Sequence, residues 1–247
     1  ESPWSELGGE KLADPFYPRF WPERLEELHG RNRAIMNGLC PPERGIFVCD
    51  MSDLFGIGIP EDWTREVLNA IEMNGGYDRF YLLTKQPQNL IKWKFPDNCW
   101  VGATATNSLM FQSAAKHLKV IKAQVKYISL EPLLDWATIG KANWDSCLPS
   151  INQLIIGAQT NPTVFPKISW VQEIVEAANR AGVPVFLKDN LLELVNYQSP
   201  ETEFAFNKGF YRQEQPKPHG YRAARGVAPR SPDAPIAEEA IRRGRGI

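Results

Sequence analysis

Six short apolar runs, spaced at regular intervals between residues 46 and 188, constrain this 247-residue chain more than any other feature. Consecutive runs end 34, 19, 27, 27 and 31 residues apart, at Asp50, Thr84, Ala103, Leu130, Gly157 and Lys188. Parallel neighbouring strands need a long crossover, usually a helix, and this spacing leaves room for one. The pattern predicts an α/β fold with six βα units, either a parallel (β/α) barrel or a partial TIM-like barrel.

Helical periodicity fills the intervals between these runs. Pro60 opens one stretch with acidic residues behind it, as the positive end of a helix dipole prefers, and Asn107 can cap a second. A third begins with the capping-box pattern Ser169-Trp170-Val171-Gln172 and ends before Gly182, where a left-handed residue terminates a helix. No glycine-rich dinucleotide fingerprint follows the first run, which favours the barrel over a doubly wound sheet.

Both ends of the chain differ in composition from this central region. Residues 1–45 are rich in proline and predict an irregular N-terminal segment with one short helix, from Pro22 to His29. Residues 46–215 form the predicted barrel-like domain. Residues 216–247 carry many Pro, Gly and Arg residues, so they bury little and predict a basic, disordered tail with a short helix over 235–243.

Charge and cysteine usage limit the classes of function. The chain has 28 basic and 29 acidic residues and a net charge of -1, so any binding of nucleic acid has to be local. No apolar run reaches the roughly 18 residues of a membrane span, and the first residues do not resemble a signal peptide. Four scattered cysteines suit a reducing compartment and form no metal motif, which predicts a cytoplasmic location and no metal site.

Polar residues follow each predicted strand, where the functional face of a parallel β/α fold lies. Lys85 and Lys188 accompany the acids Asp53, Glu131 and Asp189, a balance that suits a zwitterionic or carboxylate-bearing ligand. Further hydrogen-bonding groups stand at the same strand ends: Ser52, Thr84, Thr104, Ser129 and Gln159. Each residue alone has a structural alternative, as an ion pair across the barrel mouth or a helix cap, whereas the whole set indicates a ligand site.

Catalysis by histidine finds no support at these strand ends. His29, His117 and His219 all lie elsewhere, so neither a Ser/His nor a Cys/His arrangement is indicated. Acid and base chemistry by carboxylates stays open, because Asp53 and Glu131 follow the first and fourth predicted strands and could face each other as glycosidase carboxylates do. A barrel hydrolase that uses these two residues is therefore an alternative function.

Several of these segments together resemble a phage- and prokaryote-associated family of unknown function. The resemblance covers about residues 14–215 and is carried by PFYPRFWPERL (15–25), MSDLFG (51–56), LTK (83–85), WVG (100–102), SLEPL (129–133), IGAQT (156–160) and VFLKDN (185–190). Members of that family resemble radical S-adenosylmethionine (radical-SAM) proteins, with distant similarity to spore photoproduct lyase. They occur with three-Cys-motif partner proteins.

The resemblance implies a partial or nearly closed barrel that binds S-adenosylmethionine across the strand C-termini. It also implies a [4Fe-4S] cluster on an N-terminal cysteine triplet. By strand position, Ser52 and Asp53 would contact the amino-acid or ribose groups of the cofactor. Lys85 or Lys188 would contact its carboxylate, and Glu131 a ribose hydroxyl or the substrate. The remaining strand-end residues complete the expected binding set: Thr84, Thr104, Ser129, Gln159 and Asp189.

The chain departs from the family pattern in its cysteines. The family triplet precedes segment 15–25, where this chain has no cysteine, and the four present are too far apart to replace it: Cys40, Cys49, Cys99 and Cys147. The absence of an initiator Met favours a truncated radical-SAM-like enzyme whose cluster triplet lies upstream and whose substrate could be nucleic acid. The alternative is a family member without a cluster that binds a ligand or a partner protein.

Overall fold

The structure is a computed structural model that describes residues 18–196 and 199–216. Within these residues the helices are α1 (Glu23–Met36), α2 (Glu61–Glu72), α3 (Ser108–Val120), α4 (Lys141–Cys147) and α5 (Ile168–Ala181). The strands are β1 (Gly45–Val48), β2 (Arg79–Thr84), β3 (Cys99–Thr104), β4 (Val125–Leu130), β5 (Gln153–Ile156), β6 (Val185–Leu187), β7 (Phe206–Asn207) and β8 (Phe210–Tyr211). Short 3-10 helices cover Pro87–Lys92, Leu148–Ser150, Asp189–Leu191 and Pro200–Ala205.

The first six strands form one parallel sheet, which confirms the predicted fold class. Their spatial order is the same as their order in the chain, from β1 to β6, and every neighbouring pair is parallel. The sheet curls into a half-barrel with alternating helices. Strands β7 and β8 form a separate antiparallel hairpin. All six predicted apolar runs are strands of the sheet, since parallel strands are buried on both faces.

The two faces of the sheet carry two separate apolar clusters. The outer face packs against the helices, and its core joins strand residues such as Leu82 and Val101 to Phe111 of α3 and Ile174 of α5. The concave face holds a smaller cluster, formed by Trp100, Val125 and Tyr127 with Tyr81, Leu83 and Ile155 packed against them. Because side chains alternate along a strand, the four central strands, β2 to β5, contribute to both clusters.

The helix ends agree with three of the four predicted signals. Helix α2 begins at Glu61, directly after Pro60, with Glu61 and Asp62 in its first turn. The Asn107 side chain accepts a hydrogen bond from the Met110 backbone N–H, as an N-cap should, and Gly182 closes α5 in the left-handed conformation with φ of 67°. The predicted capping box at Ser169 is wrong. Helix α5 begins at Ile168, because the Lys167 carbonyl accepts from the N–H groups of Trp170 and Val171, so Ser169 lies inside the first turn.

Helix α1 is longer than predicted, reaching Met36 rather than His29. Gly30 inside a helix costs about 1 kcal/mol relative to alanine, which is the reason for expecting an end there. Two long-range contacts hold the second half of α1 in place. Arg31 forms an ion pair with Asp78, and the Asn32 side chain donates to the Ala70 carbonyl at 2.9 Å.

The predicted basic tail over 216–247, with its helix over 235–243, lies outside the described residues apart from Pro216. Residues 1–17 of the predicted N-terminal segment lie outside them as well. Across the part of the chain that is described, no helix combines the length and the apolar character needed to cross a membrane.

Candidate functional site

The strand-end rim, meaning the residues that follow the C-terminal ends of β1 to β6, begins with a turn organised by Asp53. Its Oδ1 accepts from the Phe55 backbone N–H at 3.0 Å. Its Oδ2 accepts from the Thr84 hydroxyl at 2.9 Å and from the Lys85 backbone N–H at 2.7 Å. Both carboxylate oxygens are therefore engaged in joining the loop after β1 to the end of β2. This arrangement gives Asp53 a structural task at the edge of the rim.

Thr84 lies on the outer face of β2, in phase with the core residues Phe80 and Leu82. It is 1% exposed, and its hydroxyl also accepts from the Gln86 backbone N–H at 2.9 Å. The structure thus places Thr84 behind the rim, in contact with Asp53. Lys85 is exposed at the next position, and within the described residues its side chain forms no ion pair.

Ser52 is exposed on the loop after β1 and contacts Cys49 rather than another strand end. The Ser52 backbone N–H donates to the Cys49 carbonyl at 3.0 Å. Burial raises the pKa of the Cys49 thiol, and the hydrogen bond from Ser52 only partly offsets this effect. Cys49 is therefore held as a neutral thiol, because burial penalises the thiolate.

Tyr127 forms the floor of the concave face, and Gly102, which has no side chain, leaves room for its ring. The Tyr127 ring lies against Gly102 so closely that a Cβ there would be 2.4 Å from the ring. Its hydroxyl donates to the Leu82 carbonyl at 3.1 Å, and burial raises the pKa of the phenol. Leu83 and Ile155 pack beside it as partly exposed apolar surface. The concave face thus has an apolar floor with polar groups at its C-terminal end.

Thr104 and Ser129 form the polar wall directly above this floor. They are paired neighbours in the register of β3 and β4, and they are only 6% and 4% exposed. Within the described part of the chain, neither hydroxyl makes a hydrogen bond. Neither hydroxyl is among the fully buried side-chain atoms that lack a partner, so both keep access to solvent. Two adjacent, accessible hydroxyls can form hydrogen bonds with a ligand.

Glu131 and Lys188 form an ion pair across the ends of β4 and β6. The Glu131 Oε1 and Lys188 Nζ are 2.5 Å apart, with the side chains 28% and 41% exposed. Gly157, at the end of β5, lies between them in the sheet order and allows the approach. A Cβ on Gly157 would be 3.0 Å from the Glu131 Cγ and 3.1 Å from its carboxyl atoms Cδ and Oε1. The missing side chain makes room for this carboxylate.

We expect Gly157→Ala to displace the Glu131 carboxylate and weaken its pair with Lys188, without unfolding the protein. A half-exposed pair contributes up to about 1 kcal/mol, so Lys188 should react up to about fivefold faster with an acetylating ester. Peptide mass spectrometry measures this rate. Gly140→Ala is the control, because a Cβ at Gly140 meets nothing within 4 Å and should leave the rate unchanged.

The loops after β5 and β6 bind each other through Asn190, a residue absent from the predicted site. Its amide donates to the Ala158 carbonyl at 3.0 Å and accepts from the Ala158 N–H at 3.1 Å. Gln159 instead donates to Pro162 within its own loop at 3.2 Å. Asp189 accepts from the Gln213 side chain at 2.6 Å. Gln159 and Asp189 are thus on the rim, where both form hydrogen bonds within the protein.

No contact joins the two carboxylates of the alternative hydrolase, Asp53 and Glu131. Asp53 makes its contacts at the end of β2, whereas Glu131 lies against Gly157 and Lys188 at the ends of β5 and β6. A glycosidase needs two carboxyl groups about 5 to 10 Å apart around one bond of the substrate. The contact networks of Asp53 and Glu131 are separate, so no contact supports that pairing.

The described thiols do not fit an iron–sulfur cluster. Cys99 and Cys147 are buried, Cys49 is half-buried and Cys40 is exposed. Burial raises the pKa of Cys99 to about 12, so this thiol stays protonated, whereas a cluster needs thiolates. Among the residues described, no three His, Cys, Asp or Glu side chains are grouped as metal ligands would be.

Two surface clefts of about 270 Å³ each lie away from the rim. One is apolar and lies between α1, α2 and the outer face of β1, lined by residues such as Leu28 and Val67. The other lies between α3 and α4 and includes Lys116 and Lys119. Neither contains a residue of the predicted site.

These features define an α/β half-barrel protein with polar side chains gathered at the C-terminal ends of its strands. The chain belongs to the family described as "Protein of unknown function (DUF5131)", which matches residues 16–199. No curated protein and no solved structure matched the chain. The match confirms membership of a family of unknown function, while the radical-SAM likeness stays a prediction.

Proposed function

We propose that this chain binds S-adenosylmethionine in the cleft at the strand-end rim, as a radical-SAM-like protein would. The proposal depends on one observation above all, the Glu131–Lys188 ion pair beside Gly157. The amino-acid part of S-adenosylmethionine carries an ammonium, which is complementary to Glu131, and a carboxylate, which is complementary to Lys188. Binding exchanges one ion pair for two, with Glu131 accepting from the ammonium and Lys188 donating to the carboxylate.

The rest of the cleft suits the adenosine part of the same ligand. Thr104 and Ser129 offer two hydroxyls that make no hydrogen bonds among the described residues, and a ribose diol can donate to and accept from both. Leu83 and Ile155 offer apolar surface for a planar base. A mostly apolar floor with a few placed polar groups is the usual composition of a small-molecule site.

Radical chemistry would need a cluster that the described residues do not supply. The resemblance implies that a [4Fe-4S] cluster would be held by a separate cysteine triplet, and the described cysteines do not fit that role. The proposal for the residues in hand is therefore binding and orientation of the cofactor. A three-Cys-motif partner protein and a nucleic-acid substrate remain predictions of the resemblance.

Titration calorimetry of the full chain with S-adenosylmethionine tests the proposal. We expect saturable binding at one site, and Lys188→Met or Glu131→Gln should weaken it. A hydrogen bond to a charged group contributes about 1.5 to 3 kcal/mol, so each substitution should raise the Kd by about tenfold or more. Free methionine and adenosine should each bind more weakly than the whole cofactor, because each fills half of the cleft.

Lys92→Met is the matched control for Lys188→Met. Lys92 forms an exposed ion pair with Glu61 at 3.1 Å, outside the rim cleft. Its loss should leave the Kd for S-adenosylmethionine within about twofold, because exposed pairs contribute little to stability. Absence of binding at millimolar cofactor, or equal affinity of the Lys188→Met variant and the wild type, would overturn the proposal.

A further inference from the structure

Residues 206–214, here called the edge strap, cover the outer edge of β6. They follow the residues that match the family. The last part of the edge strap runs antiparallel to β6. The Leu187 N–H donates to the Arg212 carbonyl at 2.8 Å, and the Glu214 N–H donates to the Val185 carbonyl at 3.0 Å. Phe186 and Gln213 form the bridge between these two bonds. The edge strap thus acts as a seventh strand, pairing in the opposite direction.

A buried charge pair fixes the position of the edge strap. Arg212 is only 7% exposed, and its guanidinium donates to the Glu214 carboxylate at 3.0 and 3.1 Å. Glu214 also accepts from the Val185 N–H at 3.0 Å, and its backbone carbonyl accepts from the Gln153 side chain at 2.8 Å. Burial disfavours the ionised form of Glu214, but these bonds outweigh it and lower the pKa of the carboxyl. The strap is anchored on both β5 and β6.

From this anchored position the edge strap reaches the rim at two points. The Tyr211 hydroxyl donates to the Lys188 carbonyl at 3.1 Å. The Gln213 side chain donates to Asp189 at 2.6 Å and to the Leu187 carbonyl at 3.4 Å. On the side of Lys188 that faces β5, its backbone N–H donates to the Ile156 carbonyl at 2.9 Å. The backbone of Lys188 is therefore held between β5 and the strap.

We infer that Tyr211 and Gln213 are positioning residues that aim Lys188 at the ligand in the rim cleft. The inference rests on the proposed function for what Lys188 binds. A lysine has four rotatable side-chain bonds, so its ammonium is placed well only where its backbone is fixed. Tyr211 fixes the backbone at the carbonyl of Lys188, and Gln213 bonds the carbonyl of Leu187 before it and the carboxylate of Asp189 after it. The segment 206–214 is then part of the site rather than only a cover for an edge strand.

Tyr211→Phe and Gln213→Leu, each in the full chain, test the inference with two readouts. The first is the Kd for S-adenosylmethionine, which should rise about fivefold for Tyr211→Phe, the effect of one hydrogen bond. In a Lys188→Met background the same substitution should change the Kd less than twofold. A merely structural effect of Tyr211 would persist in that background.

The second readout needs no ligand. The acetylation rate of Lys188 should rise in both variants, while that of Lys92 should stay the same. Tyr77→Phe is the matched control, because its hydroxyl also donates to a backbone carbonyl, that of Pro41, away from the rim. It should change neither the Kd nor the Lys188 rate.

The outcomes separate the two proposals. If the wild type binds the cofactor but Tyr211→Phe and Gln213→Leu match it in Kd and in Lys188 rate, the inference is wrong and the proposed function stands. If the wild type binds no cofactor while the Lys188 rate rises in both variants, the proposed function is wrong and the positioning of Lys188 is supported. Unchanged rates in both variants contradict the inference in either case.

Discussion

Replacing Asp78 by alanine is expected to lower the free energy of unfolding by about 3 to 5 kcal/mol, because it removes one partner of a buried ion pair. The Asp78 side chain is fully buried, and that of Arg31 is 10% exposed. Arg31 donates to both carboxylate oxygens, at 2.6 and 2.7 Å. The alanine variant leaves this guanidinium without its counter-charge. It also leaves the Arg44 N–H and the Asn74 amide without the acceptor they use at 2.9 and 3.0 Å.

The same pair predicts a dependence of stability on pH. Burial of Asp78 opposes its ionisation, but the hydrogen bonds from Arg31, Arg44 and Asn74 outweigh burial and lower its pKa below the ordinary 3.8. The folded protein therefore binds this proton less readily than the unfolded chain. The contribution is complete above the unfolded pKa and is lost as the pH falls through the lower folded pKa. Wild type should lose this increment below about pH 4, and Asp78→Ala should not.

Urea unfolding followed by circular dichroism measures both effects. Glu61→Ala is the control, because its pair with Lys92 is exposed and should change the free energy of unfolding by no more than about 1 kcal/mol. An Asp78→Ala variant as stable as Glu61→Ala would contradict the role given to the pair. If Asp78→Ala fails to fold, Arg31→Lys is the second variant. It keeps the charge but loses the two-bond geometry, so it should be intermediate in stability.

Gly102→Ala is expected to cost about 3 kcal/mol, at the upper end of overpacking effects. The new Cβ would be 2.4 to 2.6 Å from three atoms of the Tyr127 ring, a distance at which something has to move. The ring has little freedom to do so. It is 2% exposed, it packs with Trp100 and Val125, and its hydroxyl is bonded to the Leu82 carbonyl. The clash therefore has to be relieved by moving β3 or β4.

A double-mutant cycle separates this clash from other effects of the substitution. In a Tyr127→Leu background the ring is gone, so Gly102→Ala should cost less than about 1 kcal/mol, giving a coupling of about 2 kcal/mol. Gly140→Ala should be close to neutral, since nothing lies within 4 Å of its Cβ position. Equal costs of Gly102→Ala in the two backgrounds would show that the Tyr127 ring is not the obstacle. Thermal and urea unfolding provide the free energies.

The sheet could be predicted from the sequence because each strand is short, apolar and separated from the next by a helical interval. The sequence did not reveal, however, on which face of the sheet each side chain at a strand end lies. Thr84 and Thr104 both end a strand, and the sequence alone gives them the same role. Thr84 lies in phase with core residues and points away from the cleft, whereas Thr104 alternates with Val101 and Ala103 and lies on the concave face. All of β3 is buried, so polarity does not reveal which face is which.

Contacts between residues far apart in the sequence could not be predicted either. Asp78 follows Gly75, Gly76 and Tyr77, a pattern typical of an exposed turn, yet its carboxylate is buried against Arg31, 47 residues earlier. The strands of the edge strap are two residues long and show no periodicity, so nothing in the pattern marks Tyr211 or Gln213. The two members of the Glu131–Lys188 pair, by contrast, could be found from the sequence. Both residues were predicted on the rim from strand position, and the fold brings them together.

Because the sheet order follows the chain order, the half-barrel can be assembled in the direction in which it is synthesised. Each new strand finds its partner already in place, at most a few tens of residues earlier, so the cost of closing loops stays low throughout. Strand β6 has no further parallel strand beside it among the described residues. Its edge stays uncovered until residues 212–214 have left the ribosome, and during that interval it can pair with another nascent chain. Residues 212–214 thus cover the edge of the growing sheet, which each earlier strand leaves open only until its successor is made.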